Sequence, residues 1–364
     1  MILYWIFISA FLLTILVFIL GIIFKNTKIL SIVNNPLFTK IIKKILLSLF
    51  SLFIIATSIF LITELIPKKY FVEQSLNYND TNIFAKLFNF YYDLFPIPKK
   101  VCATTYLEGN EFKCSSYKYS IINLGNSYSY MKNTPILDII KEKCSISFII
   151  GIIAYALQCI IGLPLGIFLA KKENSTSNKF FNITYCFINI IPSIIYFYLF
   201  VILFMVVFDF PVLFEANNFL TYIPPLTAVT LCSSISIAYF VRKYILLELN
   251  KDYVKFAESK GFSKNYIIYK HVLRNALLPF IRTVPYSLMM CFCGYYLLEI
   301  SFNVPGVGQT LIHAIQLQDT TLIRGLLLFF SFLSITAYLL GDILTLIFRR
   351  KSDYVKEGVS NERT

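Results

Sequence analysis

Uncharged apolar runs alternate with short polar segments along this chain. The runs occupy residues 1–24, 45–63, 145–170, 180–208, 216–241, 283–298 and 325–341. A helix needs about 20 apolar residues to cross a bilayer; most of the runs reach or nearly reach that length. The last two runs are shorter than a membrane span. Each can still form a span if the charged residues that bound it lie near helix ends or face protein; these are Arg282 and Glu299 for the first run and Arg324 and Asp342 for the second. The pattern predicts an all-α polytopic membrane protein with seven spans, six of them forming a core.

The composition excludes a soluble globular class. Of 364 residues, 57% are hydrophobic and only 15% are charged, whereas soluble domains carry about 25% charged residues. The formal net charge of +13 suggests a nucleic-acid partner, but its distribution argues against one. Residues 25–44 carry five Lys and no acid, and residues 242–282 carry nine Lys or Arg against three acids, whereas residues 209–219 and 302–321 carry three acids and no base.

Positive charge in alternate short segments is typical of the cytoplasmic loops of a multi-pass protein. The predicted cytoplasmic segments are 25–44, 171–179, 242–282 and the C-terminal tail after Arg349. The N-terminus and the segments 67–144 and 302–321 are then outside. Residues 1–24 lack the basic start and the cleavage site of a signal peptide, which favours a retained extra helix.

A basic segment, residues 252–279, connects two membrane-length runs and predicts two helices with a sharp turn between them. Its first part, up to Lys260, predicts a short helix that ends at Gly261, because glycine adopts the left-handed conformation without steric cost. Ser263 is placed to cap a second helix, and Pro279 lies near the point where the chain re-enters the lipid. An elbow of this kind is suited to being held by a cytoplasmic partner.

The elbow resembles the EAA-type signature of permease subunits of binding-protein-dependent ABC importers, of the oligopeptide, dipeptide and nickel type. Ala257, Gly261 and Leu278-Pro279 occupy the matching positions. Lys255 and Phe256 depart from the first two letters of the signature, as is common in the peptide and nickel branch.

Three further stretches are similar to the same family. They are Asn123-Leu-Gly-Asn-Ser-Tyr128, Gly162-Leu-Pro-Leu-Gly166 and Phe302-Asn-Val-Pro-Gly-Val-Gly308. Asn123 replaces the family's usual Asp, and Tyr354 replaces the Pro of its closing motif. The resemblance extends over residues 41–356.

The resemblance implies the six-helix core of a type I importer-like permease, here with one extra N-terminal helix and an extracellular insert. The expected parts are an extra helix and cytoplasmic linker (1–40), a first core helix (41–66), an extracellular domain (67–144), a permease core (145–350) with its coupling elbow (242–278), and a cytoplasmic tail (351–364).

In the resembled family the elbow is the coupling helix that sits in a groove of the ATPase subunit, and the loop before the last helix approaches the external binding protein. The implied ATPase-coupling residues are Tyr253, Ala257, Gly261, Phe262 and Ser263, with Ala257 on the surface that enters the groove. The implied receptor-facing residues are Asn303, Val304, Pro305, Gly306 and Gly308.

The resemblance also implies the partners. They are a second homologous permease subunit forming a heterodimer, two cytoplasmic ATPase subunits, an extracellular substrate-binding lipoprotein and membrane lipid, with no nucleic acid. The sequence contains no Walker A pattern, so the chain lacks an ATP-binding site of the P-loop kind. It is expected to be a transport subunit that needs no cofactor, while ATP and Mg²⁺ are bound by the partners. Oligopeptides are the expected cargo, and nickel or a metal chelate is the alternative.

Few residues suggest chemistry within the chain. His271 and His313 are predicted on opposite sides of the membrane, so they cannot form one metal site, and no metal is expected. Glu64 and Glu299 are expected at outer helix ends, where they reach water cheaply, and Asp342 lies deeper. These placements favour anchoring or a gate contact. An ion-coupled secondary transporter using these acids is a further alternative, although no inverted repeat is visible.

The eight cysteines divide into two groups. Six lie in or at the apolar runs and are explained as small packing residues. Cys102 and Cys114 lie in the external segment 67–144, where oxidising conditions favour a disulfide between them, and two free thiols are the alternative. The length and aromatic content of this segment predict a folded cap rather than disorder.

Overall fold

The protein is built mainly from helices. The computed structural model describes residues 36–65, 83–95, 98–108, 111–172, 175–211 and 214–348. In chain order the helices are α1 (Pro36–Leu65), α2 (Ile83–Leu94), α3 (Ile136–Lys171), α4 (Thr176–Ile190), α5 (Ser193–Val207), α6 (Ile223–Leu249), α7 (Asp252–Ser259), α8 (Lys264–Ala276), α9 (Leu278–Cys293), α10 (Tyr296–Ser301), α11 (Val307–Gln316) and α12 (Thr320–Phe348). Strands β1 (Lys99–Glu108) and β2 (Glu111–Ser120) form an antiparallel hairpin between α2 and α3.

The described residues contain four helices that are long and apolar enough to cross a membrane, namely α1, α3, α6 and α12. Two bent pairs raise the number to six if each pair is one span: α4 with α5, and α8 with the helices from Leu278 to Ser301. The predicted all-α polytopic architecture is confirmed. The predicted extra helix at 1–24 and the tail 351–364 lie outside the described residues.

One predicted span is sharply bent. The apolar run 180–208 predicts one straight helix, but α4 and α5 meet at 102°. Pro192 lies at the bend with an extended backbone, φ −54° and ψ 133°, which is the polyproline region and not the helical one. Proline has no amide hydrogen to donate to the preceding turn, so the helix is interrupted there.

Helices α3 and α6 form the most extensive helix pair of the fold. A Cβ added at Gly162 would lie 2.8 Å from Ile237 Cβ, and one added at Gly166 would lie 2.9 Å from Val241 Cβ. The two glycines therefore allow α6 to approach closely, as their spacing of four residues predicts. Because lipid is as apolar as these side chains, such close packing is what holds two membrane helices together.

Ion pairs attach α1 to α12 at both ends. Near one end, Asp342 of α12 pairs with Lys44 of α1 and with Arg282 of α9, whose Nε lies 2.7 Å from Asp342 Oδ1. Near the other end, Glu64 lies 3.6 Å from Arg324 of α12 and 2.8 Å from Lys86 of α2. Both acids have basic partners, which agrees with an anchoring role.

The segment 67–144 is divided among several elements. Helix α3 begins at Ile136, nine residues before the apolar run that predicts it. Its first turns therefore contain polar residues such as Asp138 and Lys141. In the hairpin, Cys102 is opposite Tyr117 and Cys114 is opposite Thr105. Disulfides join Cα atoms about 4.4–6.8 Å apart, so a Cys102–Cys114 bond needs a change in this register. It stays a prediction.

Candidate functional site

The elbow has the helix–glycine–helix form that its sequence predicts. Helix α7 ends at Ser259, and Gly261 follows with φ +81°, in the left-handed region. The Gly261 amide donates to Glu258 O at 2.9 Å, which closes the end of the helix. Ser263 then caps α8, since its Oγ accepts a hydrogen bond from the Tyr266 amide at 3.4 Å.

The inner face of the elbow is packed against the transmembrane helices. Val254 and Ala257 of α7 lie in a buried cluster with Ile267 of α8, Ala170 of α3 and Ile245 of α6. This burial fixes the elbow to the ends of two long helices. Ala257 is therefore not part of the exposed surface of α7, and its role in coupling stays a prediction.

Tyr253 also has an internal role. Its hydroxyl donates to Glu248 Oε1 at 2.9 Å, and the other carboxylate oxygen lies 2.6 Å from Lys251 Nζ. Glu248 is buried at the end of α6. These contacts anchor the beginning of α7 to α6, so of the five predicted coupling residues Tyr253 and Ala257 support the elbow from inside.

The outward face of the elbow is aromatic and basic. Phe256 is 62% exposed, and Phe262 and Tyr266 are stacked with ring centroids 5.1 Å apart. Lys260 Nζ lies 4.4 Å from the Phe256 ring centroid. Tyr269 is also exposed, and its hydroxyl accepts a hydrogen bond from Lys171 Nζ at 2.9 Å. Exposed aromatic side chains on an otherwise polar segment indicate a partner surface, and this signal could have found Phe256, Tyr266 and Tyr269 in the sequence.

A second cluster surrounds the carboxylate of Glu299 on α10. Glu299 is only 2% exposed. Its Oε1 accepts a hydrogen bond from Ser147 Oγ at 2.6 Å, and its Oε2 accepts one from the Gln309 amide at 2.9 Å. Ser147 Oγ in turn accepts a hydrogen bond from the Val307 amide at 2.9 Å. The carboxylate therefore satisfies amides at the beginning of α11, where a helix leaves its first amides without internal partners.

This geometry corrects two expectations. Glu299 does not reach water at a helix end, because protein encloses it. The loop 303–308 packs around the Glu299 carboxylate. Val304, Gly306 and Gly308 are buried, and a Cβ at Gly306 would overlap the carboxylate.

Pro305 is half-buried, and Asn303 is the exposed member of the five predicted receptor-facing residues. Asn303 Oδ1 accepts a hydrogen bond from Gln309 Nε2 at 3.0 Å. The surface that this loop offers to a partner is therefore small.

Asp319 has a similar role at the beginning of α12. Its side chain is fully buried, and Oδ2 accepts hydrogen bonds from Ser127 Oγ at 2.6 Å and from the amides of Tyr128 and Ser129 at 2.9 Å. Its Oδ1 accepts one from the Leu322 amide at 3.1 Å, which caps α12. The stretch Asn123–Tyr128 is thus held against the beginning of α12.

The described residues contain no group of three or more His, Cys, Asp or Glu side chains that could hold a metal ion. His271 lies in α8 and His313 in α11, on separate parts of the fold. Within this part of the chain, the prominent features are a partner surface and carboxylates that fix helix ends.

These features define a multi-pass helical membrane protein with an elbow suited to a partner. Residues 162–354 match the family described as binding-protein-dependent transport system inner membrane component. The match covers more than half of the chain, and the chain belongs to this family. Members are permease components of ABC importers, so the chain is a transport component in a membrane.

Curated relatives carry three kinds of name. The oligopeptide transport system permease protein AmiC of Streptococcus pneumoniae is 27% identical over 215 residues, which is 58% of this chain and 43% of AmiC. The dipeptide transport system permease protein DppB of Lactococcus lactis is 27% identical over 228 residues, 62% of this chain and 74% of DppB. The nickel import system permease protein NikB of Staphylococcus aureus is 26% identical over 227 residues, 62% of this chain and 67% of NikB. The chain thus spans less than half the length of AmiC.

Among solved structures, a chain of the MetNI methionine ABC transporter in an inward-facing conformation is similar to this protein. The TM-score is 0.45 at 18% sequence identity, and the match covers 59% of this chain and 98% of that chain.

The two faces of α7 can be separated by a pair of substitutions. Ala257→Glu places an uncompensated carboxylate in the buried cluster, at a cost of about 3 kcal/mol or more, and should reduce the amount of folded protein in the membrane. Phe256→Glu changes the exposed face and should leave that amount unchanged. Quantitative immunoblotting of membranes measures both. Equal levels of the two variants would contradict the assigned orientation of α7.

Removing the charge of Glu299 should destabilise the packing of α10 against α3 and α11. Glu299→Gln directs an amide NH₂ group at existing donors and loses a charge-assisted hydrogen bond, which costs about 1–3 kcal/mol. We expect a lower thermal unfolding midpoint for the purified protein. Glu215→Gln is the matched control, because the Glu215 side chain is exposed. The same midpoint for wild type and Glu299→Gln would refute the structural role of the carboxylate.

Proposed function

We propose that this chain is one of two homologous pore-forming subunits of an ATP-driven importer in a bacterial cell membrane. Two cytoplasmic ATPase subunits drive it, and an extracellular substrate-binding lipoprotein delivers the cargo. The N-terminus lies outside and the C-terminal tail in the cytoplasm. Family membership supports the general role, and the elbow is the observation that supports coupling to the ATPases.

The elbow suits this role for a physical reason. Its inner face is fixed to α3 and α6 by buried apolar side chains, and its outer face presents Phe256, Phe262 and Tyr266 with basic neighbours. A partner that binds the outer face can therefore move two membrane helices together with the elbow. Gly261 and Ser263 shape the turn that places both faces, while Phe262 is itself part of the outer one.

Peptides are the cargo that we propose, and the names of AmiC and DppB support this choice. Nickel or a metal chelate is the second candidate, supported to a similar extent by the name of NikB. Uptake of a radiolabelled peptide and of radiolabelled nickel should be compared in cells with and without this chain. Loss of peptide uptake alone supports the first candidate, and loss of nickel uptake alone supports the second.

Substitutions at Gly261 test the coupling role. A Cβ there meets no atom within 4 Å, but φ is +81°; a side chain in this region costs about 1–2 kcal/mol of backbone strain. Gly261→Ala adds only this strain and should lower ATP-driven uptake partly. Gly261→Glu adds strain, bulk and charge at the partner surface and should abolish uptake while the protein stays in the membrane.

Ser259→Glu is the matched control for charge, because Ser259 is neutral and exposed, and the substitution adds the same single carboxylate two residues away without backbone strain. Its uptake should fall between that of wild type and Gly261→Glu. Normal uptake by a well-expressed Gly261→Glu variant would remove the main argument for coupling through the elbow.

A further inference from the structure

Helix α2 has an exposed aromatic face that the described residues do not cover. Phe84, Phe88 and Phe95 are spaced by four and seven residues and therefore lie on one side of the helix. Their side chains are 62–75% exposed. The Phe95 amide donates to Tyr91 O at 3.0 Å, so the helical path continues to this residue. A continuous apolar patch of this size indicates contact with a protein, a ligand or a membrane.

A neighbouring face of α2 packs against the membrane-spanning part of α1. The rings of Phe90 and Phe60 have centroids 5.0 Å apart, and those of Tyr91 and Phe53 have centroids 5.2 Å apart. The Tyr91 hydroxyl donates to Phe53 O at 3.2 Å. Phe53 precedes Glu64 by about 16 Å along the helix axis, at 1.5 Å per residue. Part of α2 therefore lies beside the apolar stretch of α1, below the level of its charged end.

The charges of α2 are directed away from the aromatic face. Lys86 is 15% exposed and pairs with Glu64 of α1 at 2.8 Å. Asp93 is half-buried and follows Phe84 by nine residues, which places it on the other side of a helix with 3.6 residues per turn. A helix on a water-exposed domain has the reverse arrangement, with its charges outward. With 12 residues, α2 is too short to cross a bilayer and has the length of an interfacial helix.

The aromatic face continues a surface that lipid must cover. Only 17% of the membrane-length window of α1 is buried within the protein, and Phe50, Ile54 and Ile62 are among its exposed side chains. We propose that α2 lies in the bilayer beside α1, with its aromatic face against the acyl chains of the leaflet at the Glu64 end. In the topology proposed above this is the outer leaflet. Residues 67–144 are then not wholly an aqueous cap.

The position of α2 can be measured by tryptophan fluorescence. Trp5 is the single tryptophan of the sequence, so Trp5→Phe gives a background without tryptophan. Phe88→Trp in this background is purified as the full chain and reconstituted into phosphatidylcholine vesicles. Lipids brominated on their acyl chains quench tryptophans in contact with the bilayer interior, and iodide on both sides of the membrane quenches those in water.

We expect bromolipid to quench Phe88→Trp strongly and iodide to quench it weakly. Phe90→Trp, on the protein-facing side, should be quenched by bromolipid about twofold less, because a helix about 10 Å across separates the two faces. Phe256→Trp on the exposed elbow is the aqueous control and should respond to iodide. Phe84→Trp repeats the measurement at a second position if Phe88→Trp does not fold.

Two outcomes overturn the proposal. Quenching of Phe88→Trp by iodide to the same extent as Phe256→Trp would place the face in water. Protection from both quenchers would mean that protein covers it, as in contact with a second copy of the chain. The experiment needs no ATPase, binding protein or cargo, so either outcome leaves the proposed importer function untouched.

Discussion

Lipid offers no hydrogen bonds, so every helix end within or near the bilayer must find its partners in the protein. The carboxylate of Glu299 meets this requirement where α10 stops and α11 begins. It binds Ser147 of α3 directly, and together they satisfy amides at the first turn of α11. A buried charge is costly unless it is hydrogen-bonded in this way. One carboxylate thus joins three helices and accounts for the small residues packed around it.

The Asp319 carboxylate likewise accepts hydrogen bonds at the beginning of α12, from the Ser127–Ser129 loop and from the Leu322 amide. The elbow, which lies beyond the other end of α3, is held differently, by burial of apolar side chains around Ala170. Helix α3 therefore contacts the Glu299 cluster at Ser147 and the elbow cluster at Ala170, about 35 Å apart at 1.5 Å per residue. A displacement of the elbow acts on a helix whose other part is fixed to α10 and α11.

The sequence predicts the positions of the described spans and the local shape of the elbow, but not the bend between α4 and α5. Run length predicts membrane helices, and Gly261 and Ser263 encode a turn and a cap whose geometry depends on neighbouring residues only. It was insufficient for contacts between distant segments. Ala257 was expected on a partner surface and Glu299 in water, because a local pattern does not reveal which distant helix covers a side chain. The contacts of Asp319 with Ser127 and Ser129 are equally hidden, since these partners lie about 190 positions away along the chain.

The same limit applies to α2, which falls within the predicted extracellular domain 67–144. Its apolar stretch is much shorter than a membrane span, and its aromatic residues are compatible with both a folded cap and an interfacial helix. What separates the two is the direction of the side chains around the helix. Lys86 faces Glu64 of α1 and Phe88 faces away from the protein. A continuous apolar face turned outward favours apolar surroundings, so the orientation of α2 on α1 carries information about its environment that composition does not.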